Sequence, residues 1–365
     1  MSGIEEARES QRPETPPGFG QVTSQTPPPT PRRRRRVWPW LLGALLLVVL
    51  GVSLLLNLVM AVGLAMHLAG PSDMREQLVT GDPLAKEKIA LVSLKGAIVD
   101  ATGAFGRSGT FRSTVEELEQ AASDPAVKAV CLLVDSPGGE VTASDVLCHK
   151  VRQLREKTGK PVVVSMGSVG TSGAYYVSVG ADRIVAHPTA VTGNIGVLMT
   201  LINAQGLMEK VGLRSMVLKS AEHKDMGSPF REMTTEEQSL LQGVLDHLFT
   251  RFKETVAEGR GMSAAKVDVL ANGRIFTAQE ALESGLIDSI GYLEDAIADA
   301  KKLAGTPEAK VVRYERPFRL SRLFTSELEA LASPRSLTVN ITGFPEPHTA
   351  RFLYMWVLGS EVPSE

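Results

Sequence analysis

Cysteine is almost missing from this chain: there are two in 365 residues, Cys131 in an apolar run and Cys148 in a helical pattern. Two are too few for a disulfide framework, and their spacing suits no familiar metal site, so both read as core residues. Excess charge is missing too. A formal net charge of −2 gives no general reason to expect a nucleic-acid partner, and the one dense basic block is Arg32 to Arg36. The six histidines follow no spacing that singles one out as a ligand or base. From Val37 to Gly70 there is no Asp, Glu, Lys or Arg at all.

That uncharged run, "WLLGALLLVVLGVSLLLNLVMAVGLAMHLA", exceeds the ~20 residues a helix needs to cross a bilayer, which predicts a transmembrane anchor over 37–70. The arginine block precedes it. By the positive-inside rule the N-terminus stays in the cytoplasm, and everything after Gly70 lies on the opposite side of the membrane. A cleaved signal peptide is the competing reading, disfavoured by the length of the run and of the leader before it. Residues 1–36, with "PETPP" and "TPPPTP", lack the apolar periodicity to bury a core and read as a disordered cytoplasmic tail.

Residues 71–86 are mixed and polar, a stalk, and an α/β domain is expected over 87–305. "IALVSLKGAIV" and "KAVCLLVD" read as strands, the second apolar on both faces and therefore covered on both. Ser113 and Glu116 predict a capping box opening the helix "STVEELEQAASD". The turn "SPGG", the helix "TASDVLCHKVRQLREKTG", "PVVVSMG" and "RIVAHP" repeat the scheme, implying a mainly parallel sheet with right-handed crossovers. A long helix from about Thr234 to Glu258 presents Leu241, Leu245, Leu248, Phe252 and Val256 on one face, which predicts packing against the sheet. Residues 306–365 form a C-terminal extension. Its apolar run, Phe352 to Leu358, is too short to span a bilayer and suits packing on the domain or on a neighbouring subunit. The triplet "NIT" at Asn340 is a formal glycosylation site, common by chance.

Two segments carry chemistry. "DSPGG", Asp135 to Gly139, ends an apolar strand, where α/β sheets place their sites, and its glycines let backbone N–H groups approach a ligand; an ordinary turn has the same composition. In "GTSGAYY", Ser172 opens a helix between Gly170 and Gly173. This can expose its Oγ beside the following N–H, as acyl transfer needs, although a helix cap explains it equally and Ser168 or Thr171 fit the same argument. A serine needs a base. Lys224 follows "SMVLKS", read as an apolar strand, and precedes a Gly-Ser-Pro turn, so it is tethered where a side chain can be aimed; a solvated lysine beside Asp225 is the bland alternative.

The ordered set "VDSPGGEVTASD", "GSVGTSGAYYVSVGADRIVAHPTAVTGNIGVL", "KDMGSPFREMTTEEQ" and "GRIFTAQEALESGLID" resembles the signal peptide peptidase A family of membrane-anchored serine peptidases, in its short single-repeat form, over about Ile89 to Ala304. The resemblance implies the fold shared by Clp protease and the crotonases, with repeated ββα units, and makes 87–305 a peptidase domain. It places Ser172 as nucleophile, Lys224 as general base, and the Gly138 and Gly173 amides in the oxyanion hole, with no metal or cofactor. It also implies peptide substrates such as remnant signal peptides, bound as an added strand, and a ring in which Ser172 of one subunit meets Lys224 of the next. Asn194 departs from the family pattern: a serine that positions the lysine often stands there, and the asparagine carbonyl can accept from the amine instead. The rival readings are an inactive ring of the same fold, an acyl-CoA enzyme, and a Ser-His-Asp peptidase. An outward-facing domain argues against the acyl-CoA enzyme, and the segment "TGNIGVLMTLINAQG" after Ser172 holds no histidine where that base is expected, which argues against the triad.

Overall fold

The computed structural model describes residues 38–68, 74–100, 109–315 and 353–355. These belong to two units, divided at Gly70. In the first, α1 (Trp38–Leu68) is a single 31-residue helix whose segment Trp40–Ala61 has a mean hydropathy of 2.7, long and apolar enough to cross a membrane. Its one amide, Asn57, donates back to the Ser53 carbonyl at 2.8 Å, so this polar group is satisfied within the helix.

The second unit is built on a mixed, mainly parallel sheet. Its main path runs β1 (Arg75–Thr80), β10 (Lys310–Glu315), β2 (Lys88–Lys95), β3 (Val127–Ser136), β5 (Val162–Thr171), β6 (Arg183–Ala186) and β9 (Ser289–Ile290). Only β1 pairs antiparallel along it. The short β7 (Val191–Gly193) lies parallel to the end of β5, and β8 (Ile275–Thr277) adds to it antiparallel. The sheet reaches past 87–305 at both ends, taking β1 from the segment read as a stalk and β10 from the segment read as an extension. "KVVRYE" supplies Val311, Val312 and Tyr314 as buried positions there.

Alternation along the central strands splits the core into two faces. Ala90, Val92 and Leu94 of β2, Val130, Leu132 and Val134 of β3, and Val162, Val164 and Met166 of β5 join one cluster; Ile89, Leu91, Ala129, Cys131, Leu133 and Val163 join the other. The first face is covered by α2 (Thr110–Ser123), α3 (Val141–Thr158) and α4 (Gly173–Ser178), the second by α9 (Leu293–Ala304). Both cysteines are buried, as read from their surroundings, and burial pushes the Cys131 thiol up to about 12 and the Cys148 thiol to about 11. Lys160, at the entry to β5, donates to the carbonyls of Ala121, Ala122 and Asp124 and so closes the C-terminal end of α2.

Three local expectations need correction. Helix α2 starts at Thr110 with Gly109 as its cap, so Ser113 lies one turn inside, and its hydroxyl back-bonds to the Gly109 and Thr110 carbonyls rather than capping. The long helix α6 (Thr235–Arg260) does open with the capping box of Thr234 and Glu237, but it packs on α4 and α7 (Ala264–Leu270) rather than on the sheet. Its buried apolar side chains, Phe252 and Val256, lie in its second half, with Phe252 edge-on to Tyr176 at 5.1 Å, while Leu241, Leu245 and Leu248 remain half-exposed. "SMVLKS" forms no strand: it has no sheet neighbour among the described residues, and Met216, Val217 and Leu218 are exposed.

Candidate active site

Strands β5 and β7 end side by side, Thr171 opposite Gly193, and the chain turns sharply at the next residue of each. Those next residues are Ser172 (φ 54°, ψ −118°) and Asn194 (φ 51°), the two non-glycine residues with positive φ among the described residues. A bulky Cβ is disfavoured there, and such conformations cost of order 1–3 kcal/mol unless the surroundings impose them. Here they do. The Ser172 N–H donates to the Gly193 carbonyl at 2.7 Å, and its carbonyl accepts from Tyr176 at 2.9 Å. The Asn194 N–H donates to the Arg274 carbonyl at 2.8 Å. Behind Ser172, α4 is held by its two tyrosines: Tyr175 donates to the Leu286 carbonyl at 2.8 Å, and Tyr176 is bonded to Asp145 and to Thr255. Burial pushes both phenols well above their ordinary range, with Asp145 adding to the effect on Tyr176, so both act as neutral donors. The result is a strained serine at a strand-to-helix turn, buried to 1% exposure, the shape of a nucleophile elbow.

The third strand end, that of β3, continues into β4 (Gly138–Glu140), and Ser136 pairs with Gly170 just before Ser172. The two glycines have separate reasons. Gly138 sits at φ +95°, which only glycine adopts freely, and a Cβ on Gly139 would lie 2.0 Å from the Ile98 carbonyl oxygen. Ile98 runs parallel to β4, donating to Gly138 and accepting from Glu140, both at 2.8 Å. The Gly138 N–H is donated to Ser136 Oγ at 3.1 Å. Gly173 is the first residue of α4, where an N–H has no intrahelical acceptor.

Thus Gly138, Ser172, Gly173 and Asn194 come together at neighbouring carboxyl ends of the sheet. Lys224 does not join them. It lies in a 3₁₀ turn, Glu222–Asp225, within an arm spanning 199–234 that contains α5 (Gln205–Lys210). Its side chain is exposed, and among the described residues its amine has no hydrogen-bond or ion-pair partner, Ser172 included. The Asn194 side chain donates its amide to the Gly273 carbonyl at 2.6 Å. The histidine nearest in sequence to this elbow, His187, bonds Thr189 at 2.8 Å and stacks edge-on against Tyr292.

Part of the apolar run Phe352 to Leu358, residues 353–355, packs on the domain, one of its two expected places, and an ion-pair cluster in the arm had no sequence signal. Residues 353–355 form β11, which pairs antiparallel with β4, Met355 opposite Gly138 and Leu353 opposite Glu140, and is bridged on its far side to Leu198. It packs against α3 and α4. In the arm, Asp225 accepts from Arg231 Nε and Nη2, both at 2.9 Å, and from Lys219 at 2.8 Å, while Arg231 also grips Glu237 of the α6 capping box. Arg231 and Lys219 hold the Asp225 carboxyl well below the usual range, and Arg231 with the Thr234 N–H holds Glu237 down to about 2.

Comparison with known proteins adds to this geometry. Residues 154–306, which hold Ser172, Asn194 and Lys224, match peptidase family S49. A putative protease of Synechocystis is 38% identical over 261 residues, covering 70% of this chain and 90% of that one. A putative protease of Methanocaldococcus jannaschii is 41% identical over 203 residues, 56% of this chain and 65% of its own length. A putative signal peptide peptidase SppA of Enterococcus faecium is 35% identical over 234 residues, 63% and 68% of the two chains. The chain belongs to peptidase family S49, the signal peptide peptidase A family.

Proposed function

We propose that this peptidase is a membrane-anchored serine endopeptidase with a Ser-Lys dyad, acting on remnant signal peptides and other unfolded segments near the membrane. Ser172 Oγ attacks the peptide carbonyl and passes its proton to a neutral Lys224 amine, and the oxyanion is held by the Gly138 and Gly173 N–H groups. Lys224 then gives that proton to the leaving amine, and water repeats the sequence to release the acyl group. Gly138 reaches this role when its N–H turns from Ser136 Oγ to the oxyanion.

The observation that carries the reading is the strained backbone of buried Ser172 between three strand ends. Two others support its parts. Among the described residues the Lys224 amine has no partner, and its arm exposes Ile202, Leu207, Val211, Leu213, Met216 and Leu218, as expected if a neighbouring subunit covers the arm and receives the lysine. Pairing of β11 with β4 supports strand addition as the mode of substrate binding, because β4 already accepts an antiparallel segment. Helix α1 would be the anchor, with the arginine block on the cytoplasmic side and the peptidase on the other. Peptides as substrates follow the relatives named as proteases and signal peptide peptidase.

The test is cleavage of a fluorogenic signal-peptide substrate by the full chain in detergent, with Ser172→Ala, Lys224→Ala and a co-assembled mixture of the two. Both variants inactive and the mixture active is the expected result. Near wild-type activity in Lys224→Ala refutes the lysine base; a well-assembled but inactive wild type refutes the peptidase reading.

A further inference from the structure

A general-base lysine faces a hazard from its own neighbourhood: a carboxylate beside an amine favours the charged form, which cannot accept a proton. Asp225 follows Lys224 directly on the same turn, and its side chain is 13% exposed. Yet it is fully engaged elsewhere. Its Oδ2 accepts from Arg231 Nε, and its Oδ1 accepts from Arg231 Nη2 and Lys219 Nζ. Arg231 is fixed in turn by Glu237, which is 3% exposed and locked into the start of α6 by the Thr234 capping box.

The remaining charged groups around the arm are placed differently. Glu222, on the same turn, is exposed and has no side-chain partner among the described residues, and an ion pair in water is worth little. From α6, Glu236 lies 3.8 Å from His223 Nε2, and from α5, Glu209 accepts from Gln205, while Lys210 and Glu232 are exposed. Asp225 is therefore the carboxylate on this turn that combines adjacency to Lys224 in the chain with partial burial.

We propose that Arg231 and Lys219 withhold the Asp225 carboxylate from Lys224, leaving the amine able to lose its proton and act as a base. Arg231 and Lys219 are positioning residues that act through Asp225. The inference rests on reading Lys224 as the base. It deepens that reading by making the ion-pair cluster part of the proton economy of the site rather than only a clasp on the arm.

The test is the pH profile of kcat/KM for the full chain in detergent, on a fluorogenic peptide, for wild type, Arg231→Gln, Lys219→Gln, Asp225→Asn, Arg231→Gln with Asp225→Asn, and Lys224→Ala. Arg231→Gln leaves Oδ2 without a donor and is expected to move the acid limb up by about one pH unit, a roughly tenfold loss at pH values below the limb that is recovered above it. Asp225→Asn in the same chain is expected to return the limb to its wild-type position. Lys219→Gln alters an exposed residue and is expected to move the limb in the same direction by less, so it decides the matter if Arg231→Gln fails to assemble. An unmoved limb in folded Arg231→Gln or Lys219→Gln, or a loss equal at every pH and not relieved by Asp225→Asn, overturns the proposal. If Lys224→Ala is inactive in that case, the base reading survives without it; if Lys224→Ala keeps the wild-type profile, both fall.

Discussion

Between residues 162 and 194 most side chains are buried and the backbone is bonded strand to strand, whereas between 199 and 234 no side chain is buried and the backbone makes one short helix and a few turns. The first stretch carries Ser172, held in an unfavourable conformation by its own core. The second carries Lys224, and its order comes from a cluster of charges and from two ties between its legs, Ala204 N–H to the Pro229 carbonyl and Glu232 N–H to Gln205. The contrast has a physical logic. Strain persists only where packing over-determines it, so a strained serine such as Ser172 belongs in the core. A surface that leaves Met216 at 88% and Leu218 at 94% exposure is the kind on which the proposed contact with a neighbouring subunit would form.

The comparison can be broken most forcefully at Ser172. Ser172→Gly removes the hydroxyl and relieves the positive φ together. Activity is expected to fall by at least about a thousandfold, while thermal melting rises by the equivalent of about 1 kcal/mol. Unchanged or lowered stability would show that the turn is not strained. Gly139→Ala attacks the same rigid half. The added Cβ meets the Ile98 carbonyl at 2.0 Å, so β4 must shift, at a cost of about 1–3 kcal/mol in denaturant melts and with loss of peptide cleavage.

Glu117 of α2 sharpens the electrostatics of the core. Burial raises its carboxyl to about 7, although the Ser93 N–H, donating at 2.8 Å, and Arg313 both favour the charged form. Its folded value lies above the unfolded one, so the native state binds the extra proton between about pH 4.5 and 7, and this group lowers stability as pH rises through that window. Glu117→Gln is expected to stabilise by about 1–3 kcal/mol at pH 8 and to have little effect near pH 4.5. A gain that is the same at both values would contradict the assignment.

The exposed half responds in the opposite sense. Met216→Ser with Leu218→Ser should change protomer stability by less than about 0.5 kcal/mol, because neither side chain is buried, yet lower the assembled mass in sedimentation. Unaltered assembly would mean that the apolar arm serves another contact. Removing residues 346–365 frees β4 of β11 and is expected to lower KM for an added peptide by the factor with which the tail occupies that edge. An unchanged KM would place substrate elsewhere.

How much of this was legible follows the same division. The strands of the core could be read because "KAVCLLVD" and "PVVVSMG" are apolar on both faces, and only a covered sheet satisfies that pattern. Ser172, Gly138 and Gly173 could be placed as neighbours through family resemblance, and β5, β7 and β3 end together there. The strain could not, since nothing in "GTSGAYY" fixes a positive φ on the serine rather than on a glycine. "SMVLKS" and the first half of α6 misled for one reason: an apolar run looks alike whether it is covered by a sheet or left on the surface. The pairing of β11 with β4 is made by backbone groups, which leave no mark on side-chain pattern.

The most direct measurement is reaction of the assembled full chain with a serine-directed fluorophosphonate, followed by mass mapping of the adduct. The account predicts one modified residue, Ser172, with labelling abolished in Ser172→Ala and strongly slowed in Lys224→Ala. Labelling of Ser168 or another serine, or no labelling of a folded and assembled chain, would contradict it.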